Sequence, residues 1–197
     1  MHTLTAEARK TEYPVESIFT DRWSPRAMSG EALPREELMP LFEAARWAPS
    51  SYNNQPWRFY YALKDSPQWP AFFALLGDFN RGWCQNAGAL VVIVSKKTLA
   101  HDGKPARTHS FDTGAAWVQF ALQGSAARLV VHGMEGFDYD AAKALLGLSE
   151  DYQVEAMAAV GYPGKKETLP KDLQEREKPS PRKSLAETVF EGARRKF

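Results

Sequence analysis

The sequence predicts a mixed α and β protein that folds as one domain over residues 1–197. Strands are expected at three short apolar runs, residues 59–63, 90–94 and 154–160. Apolar residues at helical spacing between Leu38 and Arg46 indicate a helix before the first of these runs. An almost wholly apolar stretch, residues 112–129, predicts the longest helix of the chain.

The remaining helices follow from proline, capping and glycine patterns. They are expected at residues 14–19, 33–46, 66–76, 141–146 and 185–189, with a break at residues 77–82. The run at 90–94 is apolar and β-branched throughout, which is typical of a central strand buried on both faces.

Three further segments bear on the organisation of the domain. Residues 1–12 are polar and are expected to form a flexible arm. Residues 165–183 are rich in charge and proline, so they should lie extended over a surface. Residues 112–129 are apolar nearly all round, and a chain of this length rarely buries a helix so completely. The long helix therefore indicates the core of a dimer.

Composition excludes several classes of protein. The formal net charge of +1 gives no overall field that would attract nucleic acid or a membrane surface, and the basic residues 194–196 suit a solvated terminus. The single cysteine, Cys84, excludes an internal disulfide and suits a reducing compartment. The start is not a secretory signal, and no apolar run reaches a membrane span. We therefore expect a cytoplasmic protein without nucleic-acid or membrane partners. His101 and His109 are too poorly supported to predict a metal site.

The segment Ala48 to Trp57 joins the predicted second helix to the first strand and is dense in small polar side chains. Ser50, Ser51 and Asn53 offer hydroxyl and amide groups to a polar ligand. The same residue types in a turn also satisfy their own backbone. Both interpretations stay open on this segment alone.

Basic residues lie close together near both ends of the chain. Arg22, Ser24 and Arg26 form one group, and Arg182 and Lys183 form the other. Guanidinium groups match phosphate oxygens, so the first group predicts a phosphate site, with a solvated helix end as the alternative. The sequence has no glycine fingerprint of a dinucleotide fold, no nucleophile elbow and no paired-cysteine metal site.

Taken in order, these motifs resemble those of the FMN-dependent nitroreductase family. The resemblance is carried by Arg22-Trp23-Ser24-Pro25-Arg26, residues 44–57, Phe79-Asn80, Glu135-Gly136-Phe137-Asp138 and Arg182-Lys183. It spans most of the chain. It implies an α+β fold whose central, mostly antiparallel sheet is flanked by helices. It also implies a homodimer, with the long buried helix and two FMN sites at the subunit interface.

The resemblance assigns the basic residues to FMN, position by position. Arg22 and Ser24 match the grip on the FMN phosphate, and Trp23 stands between them in the same cofactor-binding motif. Arg26 matches a cation near the pyrimidine edge of the ring. Arg182 and Lys183 match late basic residues that close over the phosphate.

The resemblance also assigns residues to the flavin ring. Pro49, Ser50, Ser51 and Asn53, with Gln55 in the same motif, match a loop that reaches the flavin of the partner subunit. Asn80 matches a residue that hydrogen-bonds the isoalloxazine, and the backbone of Glu135 and Gly136 matches the segment near flavin N5. The chain departs from the pattern at Trp83, where many relatives carry a lysine close to flavin N1 and O2. Arg26 is then the expected sole cation for the reduced flavin, whose negative charge gathers at those atoms.

The implied function is that of an oxidoreductase with tightly bound, non-covalent FMN. NAD(P)H passes a hydride to flavin N5, and a nitroaromatic, quinone or similar conjugated acceptor then removes it by a ping-pong mechanism. No catalytic side chain is expected, because the flavin carries the chemistry. Two alternatives stay open: an FMN-binding protein for sensing or storage, and the same fold with different flavin chemistry, such as an oxidase or a dehalogenase.

Overall fold

Four strands form one antiparallel sheet in the computed structural model, which describes residues 9–193. The strands are β1 Trp57–Leu63, β2 Ala89–Lys96, β3 Val130–Met134 and β4 Tyr152–Gly161. Their spatial order is β1-β2-β4-β3, so β1 and β3 are the edge strands. The sheet and its flanking helices confirm the predicted α+β class. Residues 1–8 of the predicted N-terminal arm lie outside the described residues.

The helices lie on both faces of this sheet. They are α1 Ser17–Asp21, α2 Arg35–Arg46, α3 Trp69–Ala74, α4 Asp78–Cys84, α5 His109–Ala126, α6 Tyr139–Leu145 and α7 Lys171–Arg176. Short 3₁₀ turns occupy Ser51–Asn53, Lys166–Thr168 and Leu185–Glu187. Within residues 9–193, none of the helices combines the length and the apolar character that crossing a bilayer requires.

Strand β2 is the centre of the molecule, as its apolar run predicts. Its residues are buried from Ala89 to Ser95, and it pairs with β1 on one side and β4 on the other. Leu90 and Val92 belong to one hydrophobic core, whereas Val91 and Ile93 belong to the other. The strand therefore separates two cores, one on each face of the sheet.

Helix α5 packs one face onto the sheet and leaves the other exposed. Ala116 and Phe120 are fully buried in the core that also contains Val91. Phe111 and Val118 are 80% and 49% exposed. The prediction that this helix is buried nearly all round is therefore wrong for a single chain, because one sheet covers only one side of it.

The end of α4 packs against β3 through two sulfur atoms. Cys84 is fully buried, and its Sγ lies 3.3 Å from the Sδ of Met134. Burial raises the pKa of the Cys84 thiol well above its usual value. This contact fixes α4 beneath the edge strand that borders the candidate site.

Strand β3 and the helix α4 are absent from the sequence-based prediction. His132 and Gly133 interrupt the apolar run of β3, so the pattern of a strand is lost there. The break expected at residues 77–82 is confined to the turn before Asp78, where α4 begins. The first helix begins at Ser17, not at residue 14.

The segment 165–183 is only partly extended, which corrects the prediction. It contains the helix α7 and one 3₁₀ turn. Leu169 and Leu173 are buried and join the core that contains Met157. Two apolar side chains therefore fix this charged segment to the body of the protein, although proline and charge dominate its composition.

Candidate functional site

A cavity of about 330 Å³ collects basic side chains from three distant parts of the chain. We call it the cation cavity. Its walls are formed by the segments before and after α1, by strand β3, and by the segment around and after α7. It is lined by Arg9, Arg22, Trp23, Ser24, Arg26, His132, Arg176, Lys178, Ser180 and Arg182. None of these lining residues is a carboxylate, so the cavity has a strongly positive potential.

The guanidinium groups of the cation cavity lie close enough to act on one another. Burial lowers the pKa of Arg22, and the charge of Arg182 lowers it further. Burial also lowers the pKa of Arg9, as do the charges of Arg182 and Arg22. The Nε atoms of Arg9 and Arg26 are buried without a hydrogen-bond partner in the described chain. A bound anion such as a phosphate would relieve both the repulsion and the unused donors.

Two contacts hold the lining segment in place. Arg9 donates from Nη1 to the backbone oxygens of Thr20 and Arg22, the first at 3.0 Å. Glu177 accepts at Oε1 from the backbone N–H groups of Arg26, at 2.7 Å, and of Ala27, at 2.8 Å. Glu177 also acts on the Arg26 guanidinium: burial lowers the pKa of Arg26, and the charge of Glu177 opposes that effect.

His132 contributes a neutral group to the cation cavity. Its Nδ1 lies 2.9 Å from the backbone oxygen of Pro25, so Nδ1 carries the proton and donates it. Burial lowers the pKa of His132 to about 4, against the smaller opposing effect of the Pro25 hydrogen bond. Its ring packs 4.7 Å from that of Trp83. His132 lies on β3, in the wall of the cation cavity.

A second cavity, of about 690 Å³, adjoins the first and shares Arg22 and Ser24 with it. We call it the helix cavity, because α5 forms one wall. It is lined by Phe19, Arg22, Ser24, Trp117, Val118, Ala121, Leu122, Gly133, Met134, Glu135, Tyr139, Glu155 and Ala156. Its size and mixed lining are those of a small-molecule site. Together the cavities suit a ligand with an anionic end and a flat, largely apolar end.

Gly133 allows Trp117 to form a wall of the helix cavity. A Cβ atom at Gly133 would lie 2.8 Å from Cζ2 of the Trp117 indole. Without that atom the indole lies against β3, and it also stacks on Phe120 with ring centroids 6.0 Å apart. Trp117 both packs against the core and lines the helix cavity.

Asn80 is buried beneath the turn that follows β3. Its Nδ2 donates to the backbone oxygen of Gly136 at 2.9 Å, and its Oδ1 accepts from the indole of Trp83 at 3.2 Å. The same Gly136 oxygen accepts from the N–H of Gly77 at 3.0 Å. Asn80 thus positions the turn that carries Glu135, and Trp83 in turn positions Asn80. Asn80 does not line either cavity.

The loop after α2 lies at the N-terminal end of α5. Asp112, which is 4% exposed, accepts from the backbone N–H of Ser51 at 3.1 Å and from Oγ1 of Thr108 at 3.0 Å. Ser50 accepts at Oγ from the N–H of Gln55 at 3.0 Å. These contacts tie the loop to the start of the long helix.

The same loop holds three residues other than glycine in the left-handed region. Tyr52, Asn53 and Gln55 have φ values of 54°, 52° and 48°. Such conformations cost about 1–3 kcal/mol each and persist only where surrounding contacts impose them. They give the loop a defined shape in which the Tyr52 ring is 82% exposed and lies 5.7 Å from the ring of His101, between centroids.

The structure brings together only part of the predicted site within one chain. Five predicted residues meet in the cation cavity, and Glu135 lines the helix cavity; the five are Arg22, Trp23, Ser24, Arg26 and Arg182. Lys183 is exposed and lines neither cavity. The predicted loop residues Pro49, Ser50, Ser51, Asn53 and Gln55 also line neither cavity of their own chain.

Four charged cavity residues were missed because no short motif marks them. They are Arg9, Arg176, Lys178 and Glu155. The three basic residues lie in charged, proline-containing or terminal segments, where solvated side chains are the usual expectation. Glu155 lies inside an apolar strand, and it could have been predicted from being the one charged residue in that apolar run.

The fold and the two adjoining cavities define a class: an α+β protein with a cluster of basic side chains beside an aromatic-walled cavity. Comparison with known proteins assigns this class to a family. The model of the nitroreductase family matches residues 19–68. The crystal structure of an oxidoreductase containing FMN is 47% identical to this chain, covers 94% of it and 95% of its own chain, and has a TM-score of 0.90. The chain belongs to the nitroreductase family.

Two more distant relatives agree with this assignment. A protein from Desulfovibrio desulfuricans, named as a nitroreductase and determined in complex with FMN, is 24% identical over 94% of this chain and all of its own, with a TM-score of 0.71; it shows the shared fold. The oxygen-insensitive NADPH nitroreductase of Helicobacter acinonychis is 43% identical over 64 residues. That match covers 32% of this chain and 30% of the curated relative.

Proposed function

We propose that this protein is an FMN-dependent oxidoreductase that takes a hydride from NAD(P)H and passes it to a nitroaromatic, quinone or similar conjugated acceptor. The observation that carries the proposal is the cation cavity, whose basic side chains have no carboxylate among them and which opens into the helix cavity through Arg22 and Ser24. The relatives named above as containing FMN, and the relative named as an NADPH nitroreductase, support the choice of cofactor and donor.

The residues present fit FMN on structural grounds. A phosphate dianion suits Arg22, Arg182 and Ser24, which combine guanidinium forks with a hydroxyl. The buried and unpartnered Nε of Arg26 is a donor that still needs an acceptor. The helix cavity is large enough for a flat ring system and is walled by the indole of Trp117. The turn at Glu135, held by Asn80, borders the same space.

In this proposal the protein binds and orients, and the cofactor carries the redox chemistry. Bound FMN supplies hydride transfer at its N5 atom, so no nucleophile or metal is required of the protein. Arg26 matches the family's cation near the pyrimidine edge of the ring, where positive charge would favour reduction. His132 adds no second charge there, because it is neutral at physiological pH. Trp83, which is 1% exposed, also supplies no positive charge.

We further propose that two chains form a homodimer around the exposed face of α5. Phe111 and Val118 are seven residues apart, so they share one face of the helix, and both are exposed in the single chain. Burying such a face is favourable by about 25 cal/mol per Å² of apolar area. The loop that contains Ser51 is fixed to the start of the same helix and would enter the partner's site from there.

The cofactor is tested by the visible absorption of purified protein reconstituted with FMN, followed by anaerobic addition of NADPH or NADH. We expect a bound flavin band that is lost when the nicotinamide is added. A bound flavin that stays oxidised with both nicotinamides would support the alternative of a flavin-binding protein. Failure to bind FMN at all would refute the cofactor assignment.

The phosphate site is tested by the double variant Arg22→Ala with Arg182→Ala. It should stay folded and lose at least about 100-fold in FMN affinity, because hydrogen bonds to charged groups contribute about 1.5–3 kcal/mol each. The matched control is Arg107→Ala with Lys171→Ala, which removes the same charge from exposed positions outside both cavities. Equal FMN affinity of the two double variants would refute the site.

The dimer is tested by sedimentation equilibrium of the wild type and of Phe111→Glu with Val118→Glu. The wild type should sediment as a dimer and the variant as a monomer, because two carboxylates would then face each other across the interface. A monomeric wild type that still binds FMN tightly would refute the interface.

A further inference from the structure

A hydrogen-bonded chain of polar side chains ends in the wall of the helix cavity. Glu155 accepts at Oε1 from the hydroxyls of Ser95, at 2.5 Å, and Ser110, at 2.7 Å. Its Oε2 accepts from Nε2 of Gln153 at 3.2 Å. The Nδ1 atom of His109 lies 2.8 Å from Oγ of Ser95. This arrangement joins β2, β4 and the first turn of α5 at one point.

A β-bulge directs Glu155 into that cavity. Ile93 pairs with Ala156, whereas Val94 pairs with Val154, so Glu155 is the additional residue between the two pairs. Its carboxylate therefore lies on the same face of the sheet as Ala156, and both residues line the helix cavity. Bulges of this kind commonly redirect a side chain beside a functional site.

With the Glu155 carboxylate as the acceptor, the hydrogen bonds of this chain have one consistent direction. Each serine hydroxyl has one proton, and both Ser95 and Ser110 donate theirs to Glu155. The Nδ1 atom of His109 must then be the donor to Ser95, since the Ser95 proton is already used. The chain accordingly runs from His109 through Ser95 to Glu155. Ser95 is fully buried, whereas the side chains of His109 and Glu155 are 17% and 19% exposed, so Ser95 links two groups that each border solvent.

We propose that this chain delivers the proton that the acceptor needs, with Glu155 as the proton donor and Ser95 and His109 as positioning and relay residues. The proposal rests on the proposed function. A quinone that has gained a hydride carries a negative charge on oxygen and needs one proton to become the hydroquinone. The proton for that oxygen comes from Glu155.

The proton balance closes on named atoms. A proton from solvent binds Nε2 of the neutral His109 ring as the Nδ1–H bond breaks, and the Nδ1 proton passes to Oγ of Ser95. The hydroxyl proton of Ser95 passes to Oε1 of Glu155, and the carboxyl of Glu155 gives a proton to the acceptor oxygen. No electron leaves the chain of side chains. His109 begins as the Nδ1–H tautomer and ends as the Nε2–H tautomer, neutral in both.

Other ionisable groups border the same space and do not substitute for Glu155. Tyr139 lies between two acids: burial raises its pKa first, and the charges of Glu135 and Glu155 raise it further. Glu135 is exposed, and it follows β3 rather than lying within a hydrogen-bonded chain. Arg22 stands where the helix cavity meets the cation cavity. On α5, His109 faces Glu155 with 3.7 Å between Nδ1 and Oε1.

The test compares two oxidants of the reduced, FMN-loaded protein by stopped-flow absorbance. Benzoquinone needs a proton after hydride transfer, whereas ferricyanide accepts single electrons and needs none. Glu155→Gln and Ser95→Ala should slow flavin reoxidation by benzoquinone by about 100-fold or more, the usual contribution of a general acid. Reoxidation by ferricyanide should be unchanged or faster. Glu150→Gln, at a 91% exposed carboxylate, is the matched control and should change neither rate.

An equal loss with both oxidants would show a structural defect and overturn the proposal, as would unchanged rates with benzoquinone. A wild-type protein that binds no FMN would instead refute the proposed function, before any variant is made.

A second readout does not depend on turnover. Nitrogen-15 NMR of the oxidised, FMN-loaded protein should show His109 as the Nδ1–H tautomer, with its resonances assigned through His109→Gln. In Glu155→Gln the new amide can donate to Ser95, whose proton then turns toward His109 and favours the Nε2–H tautomer. An Nε2–H tautomer in the wild type would mean that the chain runs in the opposite direction and would overturn the proposal.

Discussion

Replacing Gly124 with alanine should destabilise the protein, although alanine is the better helix former. Gly124 lies in α5 where this helix crosses β3. An added Cβ would lie 2.3 Å from Cγ2 of Val131 and 3.1 Å from Cδ2 of Leu41. Val131 is 3% exposed and Leu41 is fully buried, so neither side chain has free space into which it can move. The helix must therefore shift away from the sheet.

The magnitude follows from two opposing effects. Alanine in place of glycine inside a helix stabilises by about 1 kcal/mol. Overpacking a closed core costs about 1–3 kcal/mol, and the 2.3 Å approach to Val131 favours the upper end. The free energy of unfolding should fall by about 1–2 kcal/mol for Gly124→Ala. For a chain of 197 residues this corresponds to a fall in Tm of roughly 2–8 °C.

The control lies in the same helix. A Cβ at Gly114 meets nothing within 4 Å, so Gly114→Ala should gain about 1 kcal/mol in the single chain. A Cβ at Gly82, in α4, also meets nothing within 4 Å, and Gly82→Ala serves as a second control. Thermal unfolding of all variants is measured at one protein concentration, because association also changes Tm. If Gly124→Ala is as stable as Gly82→Ala, the packing argument is wrong. If Gly82→Ala stabilises and Gly114→Ala does not, another chain covers the exposed face of α5.

Three further predictions concern the loop, its anchor and the cavity histidine. Ser51→Trp should leave the fold intact and lower FMN affinity in equilibrium dialysis, because the proposed dimer carries this loop into the partner's site; wild-type affinity would contradict this. Asp112→Ala should cost about 1–3 kcal/mol in chemical denaturation, since it leaves the Ser51 N–H and the Thr108 hydroxyl unpaired. As the pH falls from 6.5 to about 4, unfolded His132 binds a proton that the folded form does not, so stability should fall by on the order of 3 kcal/mol. His132→Gln should remove that part of the pH dependence, and an unchanged slope would contradict the burial of the neutral ring.

The elements that the sequence predicts best are those in which one local pattern matches burial. Strand β2 is apolar and β-branched on both faces because helices cover both faces, so its sequence suffices. Strand β3 is different. Its residues His132 and Gly133 serve the two cavities, His132 through its ring and Gly133 by leaving room for Trp117. Their polarity and size reflect the site, and the strand pattern is lost.

The site residues also divide into those that the local sequence marks and those that only the fold brings together. Arg22, Ser24 and Arg26 stand together in the sequence, and the structure keeps them together. Arg176 and Lys178 join them only because Leu169 and Leu173 fix the C-terminal segment to the core, which is a contact between distant parts of the chain. Likewise the position of Glu155 depends on a bulge. The sequence of one strand does not determine how that strand pairs with its neighbour, so the bulge could not be predicted.

The buried sulfur contact between Cys84 and Met134 makes Cys84 a natural probe of local opening between α4 and β3. The chain has a single thiol, and it is fully buried. A reagent that modifies thiols reaches it only while α4 is separated from β3. When reclosing is fast, the labelling rate in native buffer is the intrinsic chemical rate multiplied by the fraction of time spent open. Ligand bound in the cavities above would reduce that fraction in proportion to its occupancy of the closed form. The rate of labelling by a chromophoric disulfide reagent would then report how often α4 separates from β3, without any engineered label.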